Sequence, residues 1–487
     1  MARGKKKVEL TLEEKLEQAL VPVEEWPYEV PGNWCWVRLS TISEVVTGST
    51  PSKKRPEYYG DKFPFFKPAD LDAGRNTIAA SEYLSNEGKA VSRIIPAKST
   101  AVCCIGTIGK SGYLEVDGTT NQQINSVVPK INPLYLYYFI NTDTFVNELW
   151  EKSSATTISI VNKTKMESNL VPVAPWHEQQ RIVEQIESLF AKLDEAKEKA
   201  QDILETFEER KAAILYKAFQ GTLTRVWREN HTVKSAEDYL QDIVDKGKGF
   251  SRKEFKFWKN SNLPETWAES KIGNLLYFAG RIGWKGLKAE EYIEEGPLLL
   301  SVYNLNDGDE VSYDRVYHIT NERYEESPEI MVKQGDVLLT KDGAGIGKLG
   351  YVKELPQEAT INSSLLLIRP GNAAISKYIF YLLSGPELQR IVKERITGSA
   401  TPHLFQRDIK EFIIPIPPLE EQEEIVRILD DVLSKEVITY ETTKNVIEEI
   451  DLMKKSILAK AFRGELGTNN PEEESAIELL KTILVKL

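Results

Sequence analysis

Two glycine-rich turns are the first places in this sequence where chemistry could be read. Residues 106–113 run Gly-Thr-Ile-Gly-Lys-Ser-Gly-Tyr, and residues 343–351 run Gly-Ala-Gly-Ile-Gly-Lys-Leu-Gly-Tyr. A phosphate-binding loop needs a glycine five residues before the Gly-Lys pair. Those positions hold Cys104 and Asp342, so the motif fails in both copies, and the glycines read as tight turns or close backbone approaches. Asn132-Pro133-Leu134-Tyr135 is similar to the Asn-Pro-Pro-Tyr box of amino-methyltransferases. With Leu at the third position and no glycine-rich cofactor strand, it reads instead as a helix start. The four histidines (His177, His231, His318, His403) and three cysteines (Cys35, Cys103, Cys104) are scattered without metal-ligand or disulfide spacing, and no nucleophile elbow is present. Nothing in the pattern is catalytic, and no metal site is expected.

What remains are polar loops with base-reading residue types. The first set is Lys53, Lys54 and Arg55, Lys110, the run Thr119 to Gln123 with Asn121 and Gln122, and Ser153 to Thr157 with Thr156, followed by Lys163 and Lys165. The second set is Arg281, Trp284, Lys285 and Lys288, Tyr303 and Asn304, Lys341, Lys348, His403 and Arg407. Arg and Lys can pair with guanine or phosphate, and Asn and Gln with adenine. The net charge of −12 opposes indiscriminate nucleic-acid binding, and residues 414–487 alone carry 9 basic against 16 acidic groups. Contacts to DNA would therefore come from local clefts.

The elements that position these loops come in duplicate. Residues 171–223 align without a gap on 414–466, with about 17 of 53 positions identical. Each copy opens on an extended proline segment, continues through Glu-Gln (Glu178-Gln179, Glu421-Gln422), and closes on Lys-Ala-Phe-x-Gly (Lys217–Gly221, Lys460–Gly464). Between them the spacing predicts a long helix, about 64 Å over residues 177–219 at 1.5 Å per residue. Its apolar positions step by threes and fours as a heptad seam: Ile182, Ile186, Leu189, Leu193, Ala196, Ala200, Ile203 and Phe207. The second seam runs Ile425, Leu429, Val432, Val446, Ile450, Met453 and Ile457, interrupted by Glu436, Thr439 and Thr443. The expected fold is α+β, with two similar mixed α/β domains joined by two long antiparallel helices as a coiled coil. The short helix candidates at Leu12–Leu20, Lys234–Val244 and Glu474–Leu484 make the whole a circular duplication with a pseudo-twofold. The expected domains are 1–175, a first mixed α/β domain; 176–222, the central helix; 223–262, a short helix and linker; 263–418, a second mixed α/β domain; 419–464, the C-terminal long helix; and 465–487, a short helix.

These paired motifs, with Thr47–Pro51 (TGSTP), Gly106–Lys110 and Pro418–Gln422, resemble those of type I restriction-modification specificity subunits. The second block departs, reading AGRIGWKG where the first reads TGSTPSKK, and the first Glu-Gln run reads WHEQQ. The resemblance implies a non-enzymatic subunit whose two target-recognition domains each read half of a bipartite, gapped site on double-stranded DNA. It implies a helical spacer that sets the gap and docks two methyltransferase subunits acting on adenine with S-adenosylmethionine. It also implies restriction (motor-nuclease) subunits that complete the complex. This chain would bind no cofactor itself. A competing expectation is a coiled-coil adaptor that binds protein and reads no bases. With neither an apolar h-region at the start nor a run of 18 apolar residues, the chain is expected in the cytoplasm, away from membranes.

Overall fold

The computed structural model describes residues 10–154, 159–245, 256–281, 287, 289–305, 309–343, 345–396 and 403–486. The chain divides into two compact units, Met1–Gln201 with Lys444–Leu487, and Asp202–Thr443.

The first unit is built on a four-stranded antiparallel sheet of β1 (Ser43–Thr47), β2 (Thr100–Cys103), β3 (Ser111–Tyr113) and β4 (Ile124–Pro129), in the order β1-β4-β2-β3. β2 is buried along its whole length, which is why it reads as an unbroken apolar or small run. A helix over Pro133–Ile140 packs on the sheet. Asn132 Oδ1 accepts the amides of Leu134 (3.0 Å) and Tyr135 (3.2 Å), and proline occupies the first turn, so the Asn-Pro-Leu-Tyr run is a helix start. The second unit repeats the plan with β5 (Leu276–Ala279), β6 (Val337–Thr340), β7 (Leu349–Tyr351) and β8 (Leu365–Pro370), in the order β5-β8-β6-β7, and a helix over Ser376–Ser384.

Three long helices follow the proline segments: α1 (Trp176–Glu205), α2 (Phe207–Phe219) and α3 (Leu419–Ala461). The expected single helix over 177–219 is thus two. At Thr206 ψ turns to 1°, and its Oγ1 bonds back to the Asp202 carbonyl at 2.7 Å, a local competitor of the helical ladder. The Glu-Gln pair explains how each helix start is anchored. Glu178 Oε2 accepts Trp34 Nε1 at 2.8 Å, while Gln179 donates to the Ala174 carbonyl (2.8 Å) and accepts the Asn132 amide (3.1 Å). In the second unit Glu421 accepts Trp267 Nε1 (2.8 Å), and Gln422 donates to the Pro417 carbonyl (2.9 Å) and accepts the Ile375 amide (2.8 Å).

The Lys-Ala-Phe-x-Gly close is equally legible. Phe462 packs edge-on against Tyr135 (5.0 Å) and Phe139 (5.1 Å), and Phe219 against Tyr378 (5.5 Å). Gly464 has φ +76°, and a Cβ there would lie 2.3 Å from Pro31 Cγ; at Gly221, with φ +73°, it would lie 2.5 Å from Pro264 Cγ. Glycine is required on both counts.

Within each unit the helices pair in opposite directions. In the first, Lys197 bonds Asp451 (2.6 Å) and Lys454 bonds Asp194. In the second, Phe207 meets Tyr440 (4.8 Å) and Arg210 meets Glu436 (2.9 Å). Arg210 also donates to the Ile203 carbonyl at 3.0 Å, so the polar interruption at Glu436 is paired across the helices beside the break at Thr206. Thr439 bonds its own helix at the Lys435 carbonyl, and Thr443 is buried.

The seam is corrected in part. Ile182 and Ile186, with Ile425 and Leu429, are buried in the cores of their units, and Leu189, Leu193, Phe207, Val432 and Ile457 are half-buried. Ile450 is buried. Ile203 (39% exposed), Val446 (40%) and Met453, together with Ala196, face outward instead, and Leu204 and Ile447 turn inward one position on. A 3.5-residue repeat drifts about 20° per heptad on an ordinary 3.6-residue helix, so a seam extrapolated that far lands on the wrong side.

The three short helices are present as Leu12–Ala19, Ala236–Asp245 and Ala476–Val485. Leu16, Leu20, Leu480 and Ile483 share the core of the first unit, and Ala236 and Leu240 sit in that of the second. The residues from 246 to 255, within the expected linker, lie outside the described set.

Candidate nucleic-acid interface

Antiparallel pairing brings four loop attachments to one end of each sheet. In the first unit these are the end of β1, the β2–β3 turn and the start of β4, with Ile160 and Val161 laid against them. Val161 N donates to the Cys104 carbonyl (2.9 Å) and Asn125 Nδ2 to the Val161 carbonyl (3.4 Å). The loop after β1 passes close: a Cβ on Gly48 would sit 2.1 Å from the Asn121 carbonyl oxygen, and Ser49 N donates to the Thr120 carbonyl at 2.8 Å. Thr50 Oγ1 then reaches Gln122 Oε1 at 2.5 Å. The polar runs 47–55, 104–110 and 119–123, far apart in sequence, therefore share one end of the sheet.

On this end Lys53, Lys54, Arg55, Gln122 and Lys163 are exposed. Arg55 donates to Tyr58 Oη (3.1 Å) and stands over its ring, and Lys163 lies 3.5 Å from Glu167. Lys110 is half-buried and bonded to Asp72 at 2.6 Å. Asn121 is buried: its Oδ1 accepts the Gln123 amide (3.0 Å) and its Nδ2 donates to Gln123 Oε1 (3.0 Å), so it shapes the turn and has no free edge for a base. Thr156 lies outside the described residues. Arg93, exposed and donating to the Thr47 carbonyl at 2.7 Å, joins the same end; 46 residues separate the two, and no local signal in the sequence marks it.

In the second unit the equivalent end gathers the loops after β5, between β6 and β7, and before β8, with residues 403–407 against them. Here Asp342 and His403 form the bridge that Ile105 and Ile160 form in the first unit. Asp342 accepts both His403 Nδ1 and Lys341 Nζ (2.6 Å); the edge of His403 meets Phe405 at 4.4 Å, and Arg407 stands over the Phe405 ring at 4.9 Å. Phe405 and Arg407 are exposed, as is Lys348; Lys341 and His403 are half-buried. Phe405 was not anticipated from sequence, because an isolated Phe in a polar loop carries no periodic signal. Two expected readers are structural. Arg281 is 4% exposed, with Nε on the Ile361 carbonyl (3.0 Å) and Nη2 on Thr360 Oγ1 (3.2 Å), and burial lowers its pKa from the ordinary value. Asn304, 2% exposed, holds a turn with both ends of its amide. Lys285, with Trp284 and Lys288, lies outside the described residues.

Among the described residues no group of three or more His, Cys, Asp or Glu side chains is placed to hold a metal ion, and no helix is long and apolar enough to cross a membrane.

Two sheet-based units, each presenting a polar loop cluster at the same sheet end, define the class: an α+β chain with one such loop cluster on each of its two units. A family model described as "Type I restriction modification DNA specificity domain" matches residues 31–205 and 240–449. The chain belongs to that family. It is 26% identical to the EcoBI specificity subunit of Escherichia coli over 463 residues, covering 93% of this chain and 92% of that one. It is 23% identical to the EcoKI specificity subunit of Escherichia coli strain K12, covering 93% and 96%. Among solved structures, a chain described under complex assembly and conformational transition of the type I R-M system superposes with a TM-score of 0.64 at 19% identity, covering 90% of this chain and all of that one. The HsdS subunit from Thermoanaerobacter tengcongensis superposes with a TM-score of 0.59 at 19% identity, covering 91% and 100%. These last two likenesses concern the fold.

Proposed function

We propose that this chain is the DNA-reading specificity subunit of a type I restriction-modification complex, each unit reading one half of a bipartite, gapped site. The observation that carries the reading is the duplication of the loop cluster: the same sheet end, the same four attachments and the same buried Glu-Gln anchor occur in both units. Exposed Lys, Arg and Gln side chains on these ends supply phosphate and base-edge donors, while the rest of an acidic chain repels DNA elsewhere. The helices α1, α2 and α3 act as a coiled-coil spacer that sets the gap, within a circular duplication related by a pseudo-twofold. Their outward apolar side chains, Val437, Ile438, Leu452 and Met453, provide surface for two modification (methyltransferase) subunits. Those partners would supply S-adenosylmethionine and the adenine chemistry, and restriction subunits the nuclease; this chain is the non-catalytic part, working in the cytoplasm.

Footprinting of the complex assembled from the full chain and its modification subunits, on a random DNA pool, tests this. Protection of two short specific segments separated by an unspecified gap is expected. Binding to modification subunits without any selected sequence would refute it in favour of a protein-binding adaptor.

A further inference from the structure

Both units contain one more shared turn, and its tip differs. In the first unit, strand Phe63–Phe66 runs parallel to Thr119–Thr120 and passes into a turn at Lys67–Leu71. Lys67 N donates to Asp70 Oδ2 (2.7 Å), Asp70 N to the Lys67 carbonyl (2.9 Å), and Ser81 N to Asp70 Oδ1 (2.8 Å). In the second unit, strand Ile293–Leu300 runs parallel to Ala359–Ile361 and passes into a turn at Ser301–Leu305. Ser301 N donates to Asn304 Oδ1 (2.8 Å), Asn304 N to the Ser301 carbonyl (3.0 Å), and Asn304 Nδ2 to the carbonyls of Ser312 and Arg315 (both 3.0 Å). The residue after each clamp, Leu71 or Leu305, is buried.

Both turns lie at the loop-bearing end of their unit. Asn121 N donates to the Phe66 carbonyl (3.2 Å) and Asn362 N to the Leu300 carbonyl (2.9 Å), so each turn adjoins the segment entering β4 or β8. A Cβ on Gly345, in the β6–β7 turn, would touch Val302 Cγ2 at 2.6 Å. The residue before the clamp is Ala69 in one unit and Tyr303 in the other. Both are exposed, and the Tyr303 side chain is 66% exposed. A ring this open contributes little to folding, yet Asn304 spends both ends of a buried amide holding the backbone that presents it.

We infer that Tyr303 is a specificity-determining residue that packs its ring against a base of the half-site read by the second unit. Ala69 gives the first unit no such contact, so this position adds to the difference between the two half-sites. The inference rests on the DNA-reading function proposed above. The apolar body of the ring carries the contact, against the face of a base or a thymine methyl, while its hydroxyl stays wet.

The test uses the full chain assembled with its modification subunits, and measures affinity for the mapped site and for every single base-pair substitution in both halves. Tyr303→Ala is expected to weaken the mapped site roughly 5- to 150-fold. It should flatten discrimination at one or two base pairs within one half, while the other half keeps its wild-type penalties, which also shows the chain is folded. Tyr303→Phe should retain the wild-type profile, and Ala69→Tyr should alter only the opposite half. An unchanged profile for Tyr303→Ala, or a loss spread evenly over both halves, overturns the inference while leaving the DNA-reading function standing. A wild-type complex that selects no gapped site overturns that function and the inference with it.

Discussion

Removing the charge from the buried glutamates should have unequal effects in the two units. Glu421 and Glu178 occupy the same place, both fully buried and both accepting a tryptophan Nε1 at 2.8 Å. Their other partners differ. Glu421 also accepts Thr224 Oγ1 at 2.6 Å and forms an ion pair with Arg228, whose side chain is itself largely buried. Glu178 accepts Asn469 Nδ2 at 2.9 Å, and the nearby Arg181 is turned to Glu473 and the Thr468 carbonyl. Glu421→Gln therefore strands a guanidinium in a dry site and turns an amide NH2 toward one set of donors, which costs about 3–5 kcal/mol. Glu178→Gln leaves no buried counter-charge, and relief of the carboxylate's desolvation offsets part of what the weaker neutral hydrogen bonds lose, so the cost is at most about 1 kcal/mol. Native-state hydrogen exchange resolves the two because the helix starts lie in different peptides. Amides at the start of α3 should lose about a hundredfold to a few thousandfold of protection in Glu421→Gln, and those at the start of α1 at most about fivefold in Glu178→Gln. Equal losses in the two variants would refute the reasoning, since they would mean that Arg228 contributes nothing to the burial of Glu421.

The remaining predictions concern pH and the repeated glycine. Burial raises the carboxyl pKa of Glu178 above the ordinary carboxylate value, against the lowering effect of its Trp34 and Asn469 hydrogen bonds. The folded first unit then holds this proton more tightly than the unfolded chain. The stabilisation is full below the ordinary carboxylate value and is lost as pH rises through the raised one. Hydrogen exchange at the start of α1 across that window should show the slope, and Glu178→Gln should remove it. Gly464→Ala should destabilise the first unit more than Gly467→Ala, measured by urea unfolding. Both have φ above +70°, which costs an alanine roughly 1–2 kcal/mol, but only Gly464 also drives a Cβ into Pro31, whereas Gly467 faces open space. Equal effects would mean that the Pro31 contact yields at no cost.

Much of the architecture was legible before any fold was known, because it is written in local and repeated terms. The proline segments, the Glu-Gln pair and the Lys-Ala-Phe-x-Gly close recur without a gap, and each repeats because it makes the same contact twice: Trp34 with Glu178 and Trp267 with Glu421, Phe462 on Tyr135 and Phe219 on Tyr378. Helix starts were legible too, since Asn132 and its proline act within one turn. The seam was legible only in part, with Ala200 and Ile450 buried well away from the Glu-Gln anchors. Ile182 and Ile425 are buried in the cores of their units, whereas Ile203 and Val446 face outward, rotated by the accumulated mismatch between 3.5 and 3.6 residues per turn.

The loop chemistry is where sequence alone stops. Residue type marked Arg281, Asn304 and Asn121 as base readers, yet all three are buried and bonded within their own units. Nothing local distinguishes them from Lys53 or Gln122, which are exposed. The difference is made by partners far along the chain: Arg281 meets a carbonyl 80 residues away, and His403 an aspartate 61 residues away. The sequence by itself thus determined the α+β class, the repeated anchors and the helix starts, because caps, turns and short repeats act over a few residues. Only the tertiary structure decided which polar side chains hold the loops and which face outward, because burial depends on what the rest of the chain brings alongside. Asn304 and Tyr303 are neighbours in sequence, and the fold sends one inward to clamp the turn and the other out into solvent.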